Sequence, residues 1–486
     1  MAFIDATVVN VALPALQADL AATITQVQWV IEAYALFLGA LILVGGSLGD
    51  QIGRKRVFLA GVVFFTGASI CCGLAASAPA LIAGRGLQGI GAAFLVPGSL
   101  AIISAAFDAA DRGRAIGTWS GFSAMTAAIG PVTGGWLIEH VSWRAVFFLN
   151  VPLAVMVVVL SWRFMDESRD PSRTARIDWG GAALAVLGLG GVVFALLEWP
   201  TRGAGDPFVL AAMLIGTLSL ALFVAVERRT ANPMLPLELF RSRTFTLANL
   251  LTFLLYAALS AIFFLVPMNL IQVQGYSATA AGAALLPFPL IMFALSRWSG
   301  GLVARVGSRL PLTVGPAVAA LGIALYARPA LGGSYWTTFF PAVVVLGFGM
   351  AITVAPLTTT VMGAADSRHA GAASGINNAV SRVAGLLAVA VLGIVLVRTF
   401  DARVRTSLDG LGLAASARAA IDRELPKLAG ADVNAALPND ASARAAVHGA
   451  IAEAFVRAFR LVLIGAAAVA MVAAVVGASD GDGRPH

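Results

Sequence analysis

Residues 28–56 read QWVIEAYALFLGALILVGGSLGDQIGRKR. The first part, Gln28–Leu48, is apolar except for Glu32. It is long enough for one crossing of a bilayer core, which takes about 20 helical residues. The second part, from Gly46 on, is a glycine-rich turn closed by Arg54, Lys55 and Arg56. An apolar helix that ends in a short basic loop marks a span emerging on the cytoplasmic side, where Lys and Arg are retained.

Working outward, such runs recur along the chain. Of its 486 residues 59% are hydrophobic and 12% are charged, against about 25% charged in a soluble domain. Lipid, and not a soluble core, accommodates that composition. The spans read as Met1–Leu16, Gln28–Leu48, Val57–Ala76, Ala80–Ile103, Ala115–Leu137, Trp143–Trp162, Trp179–Leu197, Pro207–Val226, Phe245–Met268, Ala280–Leu302, Leu312–Ala327, Trp336–Val361, Gly371–Val397 and Phe459–Gly477. The fold class is therefore all-α integral membrane, with about fourteen transmembrane helices. Met1–Leu16 would rise only about 24 Å against a core of about 30 Å, so the first helix is expected to begin about eight to twelve residues upstream of Met1.

The net charge is +7. It sits in alternate loops: Arg54–Arg56; Arg112 and Arg114; Arg163, Arg169, Arg173 and Arg176; Arg228, Arg229, Arg241 and Arg243; Arg305 and Arg309; Arg368. The opposite loops hold Arg144, Arg202 and Arg328. This asymmetry puts both termini in the cytoplasm and gives no footprint for nucleic acid. Lysine occurs only at Lys55 and Lys427, as in a high-GC bacterial genome. One outside loop, residues 398–457, is long, nearly balanced in charge, alanine-rich and partly helical over Ser442–Phe459. Cys71 and Cys72 are adjacent in an apolar run and read as packing residues; no histidine pair has metal-ligand spacing. Neither a nucleophile elbow nor a phosphate loop occurs, and the glycine clusters 86–91 and 188–191 lie inside spans, so no dinucleotide fingerprint is present. No metal and no cofactor is expected.

A weak repeat relates two halves. Setting Gly53 against Gly307 aligns 46–56 with 300–310 without a gap, and Gly61 then meets Gly315; the second copy lacks the acid. Two related halves are characteristic of transporters. The reading is 1–162 as an N-terminal six-helix bundle, 163–244 as an inserted helix pair with linkers, 245–477 as a C-terminal six-helix bundle containing the loop 398–457, and 478–486 as a tail.

Four segments carry chemistry. Ile4–Pro14 holds Asp5 inside a span, where an unpaired charge costs about 2.5–3.5 kcal/mol and is a functional candidate by default. The plain alternative is a structural ion pair with Arg85. Gly46–Arg56 is the basic turn, in which Gly53 allows a tight bend and Asp50 can cap a helix or accept from an arginine. Leu81–Gly91 places Arg85, Gln88 and Gly89 on one helix face. A buried guanidinium must have an acidic or carbonyl partner, and Asp5 and Glu32 are the candidates. The fifth span carries Gly117, Gly121, Gly130, Pro131, Gly134 and Gly135, small residues that let helices approach closely.

Together these segments resemble the major facilitator superfamily, specifically its fourteen-span drug:proton antiporters. The resemblance is specific from Ile4 to Gly135 and weaker beyond. It departs at Gln51, where a basic residue is usual, and at Thr126, where glycine is usual. It implies two six-helix bundles about a central cavity, plus two inserted helices. It also implies proton coupling through Asp5, Arg85 and Glu32, and a gating loop of Gly46, Asp50, Gly53, Arg54 and Arg56. The Gly-Pro-x-x-Gly-Gly helix marks exporters. Asn10, Tyr34, Gln88, Asn377 and Arg382 are the expected cavity residues, and Phe253, Phe263, Phe264 and Phe288 suggest amphipathic substrates. Glu32 stays open between a second proton carrier, a cation site and a solvated rim residue. The function expected is a proton-coupled antiporter exporting small amphipathic compounds across a bacterial cytoplasmic membrane, as a monomer driven by the proton gradient. The alternatives are a transporter of one specific metabolite on the same fold, a polytopic membrane enzyme, which would need catalytic side chains clustered at one interface, and a lipid-facing sensor.

Overall fold

The computed structural model describes residues 1–106, 122, 125–126, 129–168, 178–230, 233, 235–364, 370–437 and 440–479. Gly117, Gly121, Arg112, Arg114, Arg169, Arg173, Arg176 and Arg368, and the side chains of Asp50 and Arg297, lie outside the described residues. Among the described residues every regular element is helical, as a bilayer demands of a chain whose amides cannot bond to water.

The helices are α1 (Ala2–Asp19), α2 (Ile24–Ile52), α3 (Arg54–Gly73), α4 (Ala78–Ala106), α5 (129–140), α6 (Ala145–Phe164), α7 (Trp179–Arg202) and α8 (Pro207–Glu227). They continue with α9 (Arg243–Met268), α10 (Ala278–Ala284), α11 (Pro287–Gly300), α12 (Arg309–Leu325), α13 (Tyr335–Gly363), α14 (Ala370–Asp409), α15 (Ala415–Glu424) and α16 (Ala441–Ala478). Eleven helical stretches among the described residues are long and apolar enough to cross a membrane. α12 is apolar but shorter, and α1 and α5 are not among the eleven.

Their ends follow local chemistry. Thr23 and Gln26 form a reciprocal capping box at the start of α2. Asp178, Asp206, Ser242 and Asp440 cap α7, α8, α9 and α16 with side-chain oxygens, and Pro207 opens α8 where no amide is needed. The tenth span is one apolar stretch, Ala278–Ser296, with a tightened turn at Leu285 and Leu286. Pro287 supplies no amide and crowds the preceding turn, so α10 stops at Ala284 and α11 begins anew.

Glycines set the packing within the first group of helices. A Cβ at Gly61 would stand 2.9 Å from Leu95 N, one at Gly89 2.5 Å from Tyr34 O, and one at Gly91 2.7 Å from Phe65 Cα. α2, α3 and α4 therefore touch backbone to backbone. α9, α12, α13, α14 and α16 form a second packed group, and α7 and α8 pack on each other, with α7 also lying against α2 and α14.

We call the end bearing Arg54–Arg56 the basic end and the opposite one the cap end. The long segment after Val397 is not an irregular loop. α14 runs on to Asp409, α15 and a 3₁₀ turn (Leu425–Gly430) follow, and α16 starts at Ala441, so the helix expected from Ser442 is continuous with the last span. Phe400, Val404, Leu408, Ile421, Leu425, Val447 and Phe455 are buried and join this cap to the apolar core of the membrane helices. It rests on the membrane helices: Gln17 Nε2 donates to Lys427 O at 3.1 Å, and Gln272 Nε2 donates to Gln17 Oε1 at 2.7 Å. Beneath it lies a cleft of about 290 Å³ lined by Val11, Pro14, Ile138, Ile271 and Gln272.

The two groups of helices also meet at the cap end through α5. A Cβ at Gly130 would collide with Thr7 Oγ1, and one at Gly134 would approach Val8 to 2.6 Å. On the other side a Cβ at Gly135 would stand 2.5 Å from Ala278 O, and one at Gly282 would collide with Pro131 O. Glu139 accepts hydrogen bonds from Thr279 N at 2.6 Å and Thr279 Oγ1 at 2.7 Å. The Thr279 amide holds the Glu139 carboxyl below its ordinary range.

Replacing Gly135 by Leu forces this contact apart, and over-packing costs about 1–3 kcal/mol. With cysteines at Glu139 and Thr279, oxidative cross-linking is expected to be efficient in the parent and to fall about tenfold with Gly135→Leu, while membrane insertion is unchanged. Equal cross-linking in both backgrounds would mean that these glycines do not set cap-end closure.

Candidate functional site

α1, α3, α4 and α6 converge on one buried cluster of polar side chains. Asp5 enters from the first turn of α1, Arg85 and Gln88 from one face of α4, Ser69 from α3 and Asn150 from α6. Each is at most 2% exposed. Arg85 Nη1 donates to Asp5 Oδ2 at 2.6 Å and to Gln88 Oε1 at 2.6 Å, while Arg85 Nε donates to Val30 O at 3.0 Å. Asp5 Oδ1 accepts from Gln88 Nε2 at 2.7 Å and from Asn150 Nδ2 at 3.2 Å. Ser69 Oγ accepts from Gln88 and Asn150 and donates to Phe147 O at 2.8 Å. The Arg85 guanidinium lies 4.3 Å from the centroid of the Tyr34 ring.

Both carboxylate oxygens of Asp5 accept hydrogen bonds, and among the described residues its formal countercharge is Arg85. Protonation would remove the attraction that ties α1 to α4 and leave donors without their acceptor. The pairing of Asp5 with Arg85 is thus the one the sequence suggested. Gln88, expected in the cavity, belongs instead to this dry network, because its face of α4 turns towards α1 and α3. Ser69 and Asn150 were not singled out. The only signal for either is a lone polar residue in an apolar run, and such residues often bond only to their own helix.

Glu32 does not join Arg85. It is 1% exposed, so a solvated rim position is ruled out, and neither oxygen has a hydrogen-bond partner among the described residues. Asn10 donates to Ala6 O in its own helix. Asn377 Nδ2 donates to Thr252 Oγ1 at 2.7 Å and Asn249 Oδ1 at 3.2 Å, tying α14 to α9. Arg382 lies on α14 opposite Gly39 of α2, its Cβ 3.6 Å from where a Gly39 Cβ would stand.

At the basic end, Gly53 has φ +127°, a conformation that side chains resist. A Cβ there would also meet the Glu167 carboxylate at 2.7 Å. Glu167 accepts from Lys55 N at 3.0 Å and Arg56 N at 3.2 Å, and Arg54 N donates to Ser168 O at 2.8 Å. The chain just after α6 therefore caps α3, a partner for this loop that its own sequence does not reveal. Gly46 stands near Pro97 of α4. At the cap end Asp19 accepts from Arg144 Nη1 at 2.7 Å and Trp143 Nε1 at 3.0 Å, and these bonds hold its carboxyl below the ordinary range.

Known proteins match this architecture. The family model described as Major Facilitator Superfamily matches residues 1–389. The chain is 35% identical over 410 residues to Multidrug resistance protein Stp of Mycobacterium tuberculosis, covering 84% of this chain and 76% of that protein. It is 32% identical over 402 residues to the Methylenomycin A resistance protein of Bacillus subtilis, covering 82% and 85%. It is 32% identical over 401 residues to the Tetracenomycin C resistance and export protein of Streptomyces glaucescens, covering 82% and 73%. Among solved structures, a bacterial homolog to the human lysosomal transporter Spinster, inward-facing and unoccupied, superposes with a TM-score of 0.64 at 18% identity, covering 100% of this chain and 96% of that one; that likeness is one of fold. A helical membrane architecture, a buried acid–arginine pair at the first helix and a family match over residues 1–389 agree, and the chain belongs to the Major Facilitator Superfamily of membrane transporters, which are not enzymes.

Proposed function

We propose that this transporter is a proton-coupled antiporter that exports small amphipathic organic compounds from the cytoplasm. The observation that carries the reading is the Asp5–Arg85–Gln88 network: a carboxylate sealed between helices, with one charged partner, whose protonation must change how α1 sits on α4. The names of the relatives support export: multidrug resistance, methylenomycin A resistance, and tetracenomycin C resistance and export. The Gly130-Pro131-x-x-Gly134-Gly135 helix, wedged between α1 and α10, supports the same direction.

In this reading the membrane is the bacterial cytoplasmic membrane, the chain has fourteen spans, and both termini and the basic end face the cytoplasm. The chain acts as a monomer, needs no cofactor and draws on the proton gradient. Residues 1–162 and 245–477 are the two moving halves, 163–244 the inserted pair, and 478–486 a cytoplasmic tail. Closure at the cap end then corresponds to a state loaded from the cytoplasm. A proton arriving from outside neutralises Asp5, and its loss to the cytoplasm restores the ion pair with Arg85. Because the two states differ in proton affinity, the gradient biases their exchange. Gly46, Asp50, Gly53, Arg54 and Arg56 act as the gating loop, with Glu167 fixing its shape, and Gly117 and Gly121 belong to the antiporter motif.

Asp5→Asn keeps the size of the side chain and cannot ionise. Efflux driven by an imposed pH gradient in inverted vesicles should fall to background, while substrate binding survives. Arg85→Ala behaves differently. Leaving a buried acid without its cation costs about 3–5 kcal/mol, which the carboxyl avoids by keeping its proton. Transport then needs a more alkaline medium to empty the site, and its pH optimum moves upward with partial activity kept. Wild-type proton stoichiometry in Asp5→Asn would make Asp5 structural.

The gating loop has a separate readout. Asp50→Asn and Glu167→Gln should each lower turnover severalfold and leave substrate affinity within about twofold, since neither belongs to the cavity. Equal losses of rate and affinity in Asp50→Asn would instead put Asp50 at the binding site.

A further inference from the structure

Arg85 is fully compensated, but a second arginine in the membrane is not. Arg382 forms no ion pair or side-chain hydrogen bond among the described residues, and its buried Nε has no partner. It is not at a membrane edge. α14 starts at Ala370, which puts Arg382 about 18 Å along the helix at about 1.5 Å per residue, more than half of a core of about 30 Å. A guanidinium cannot give up its proton there, so it needs an acidic or carbonyl partner.

Among the described residues, its surroundings lack that partner. Gly39 of α2 faces it and offers no side chain. The hydroxyl-bearing rings of Tyr34 on α2 and Tyr256 on α9 lie within its electrostatic reach. Glu32, on the same helix as Gly39, is farther along by about 10 Å of helical rise and makes no ion pair with it. Asp5 is committed to Arg85, Gln88 and Asn150. Arg382 is also partly exposed, and Asn378, one turn earlier on the same face of α14, is exposed as well. Arg382 and Asn378 thus lie on one open stripe of α14, beside the contact that α14 makes with α2. A planar cation with aromatic neighbours and no acid accepts a planar anion, because guanidinium pairs with a carboxylate and stacks on rings.

We propose that Arg382 is the recognition residue for an organic anion, an aromatic molecule bearing a carboxylate or phenolate, bound on the open stripe of α14 at Arg382 and Asn378. The assignment rests on the transporter reading above and names the substrate class of its cavity. Tyr34 and Tyr256 flank the ring of the bound molecule, and Arg382 neutralises its charge.

The test uses the full-length chain in nanodiscs and three fluorescent probes of one shape: anthracene-9-carboxylate, 9-anthracenemethanol and 9-(aminomethyl)anthracene. The carboxylate should bind saturably and more tightly than the alcohol or the ammonium. Arg382→Gln should weaken the carboxylate about tenfold or more, the loss expected for one charge-assisted hydrogen bond, and leave the alcohol within about twofold. Arg382→Lys should fall between, and Arg382→Glu should favour the ammonium. If Arg382→Gln does not fold, as judged by thermal melting, the wild-type ranking and Arg382→Lys carry the test. No saturable carboxylate binding, no preference for it over the alcohol, or an equal effect of Arg382→Gln or Arg382→Lys on all three probes overturns the proposal. Vesicle efflux separates it from the exporter reading. Arg382-dependent carboxylate binding with no gradient-driven efflux keeps the site and removes the exporter; gradient-driven efflux of the alcohol that Asp5→Asn abolishes, with no charge preference, does the reverse.

Discussion

The ion pair between Asp5 and Arg85 is the constraint on which the first half of the molecule depends. Placing a guanidinium in the dry centre of a helix bundle carries a desolvation cost of several kcal/mol, and a poorly matched partner does not offset it. Here the match is close. Arg85 donates to a carboxylate, a side-chain amide and a backbone carbonyl, and its face covers an aromatic ring. Those partners come from α1, α2 and α4, and the network reaches α3 and α6 through Ser69 and Asn150. One charged contact thus fixes the register of five helices. A change of one proton at Asp5 acts on all of them, because a half-satisfied polar network is less stable than a full one.

From α1 the constraint passes to the cap end. Thr7 and Val8 lie one helical turn beyond Asp5 and form the surface on which Gly130 and Gly134 of α5 rest. The far side of α5 presents Pro131 and Gly135 to α10. All of these contacts involve glycine against a side chain or backbone, so they tolerate no added atom and act as an interface that is either closed or open. The cap over Gln17 and Gln272 adds hydrogen bonds at the same end, and the Glu139–Thr279 contact adds another. The proton site and the cap-end seam are therefore neighbours along α1, and no remote relay is needed to connect them.

Much of this was legible in the sequence, for definite reasons. Spans show because apolar runs of sufficient length have no soluble explanation. Asp5 and Arg85 could be paired because each is costly alone in lipid. Gly53 showed because a tight turn needs a positive φ. What was not legible depended on register between distant segments. Glu167 caps the loop at Lys55 and Arg56 from more than a hundred residues away, and no local pattern marks it. Gln88 looked like a cavity residue because it shares a face with Arg85; only the position of α1 shows that this face is sealed. The segment after Val397 read as a loop because its charges are balanced. Its apolar positions, including Phe400, Val404 and Leu408, follow helical spacing and join the apolar core of the membrane helices. The tenth span showed as one apolar run, and only the tightened turn before Pro287 escaped, because hydropathy does not register that proline lacks an amide.

If Asp5 carries the proton and Arg382 the substrate, as proposed, Tyr34 occupies the position that makes the two interdependent. Its ring lies under Arg85, and its hydroxyl is within electrostatic reach of Arg382 across the seam between α2 and α14. When Asp5 is ionised, Arg85 is neutralised locally and the region around Tyr34 carries only the charge of Arg382. When Asp5 is protonated, Arg85 loses its countercharge and the same region carries two. An anion bound at Arg382 is attracted in both states, and more strongly in the second. Linkage requires the converse, so a bound anion favours protonation of Asp5 by the same free energy. An exporter that exchanges protons for anions needs the opposite preference in at least one state, in which the two are not bound together. In the proposed mechanism, rocking that separates α2 from α14 would supply it: Arg382 would move away with the second half, Tyr34 would stay with the first, and the attraction between the two sites would lapse. In the proposed reading, coupling then comes from the distance between two arginines, with the proton on Asp5 setting whether Arg85 keeps its countercharge and the conformation setting how near Arg382 lies.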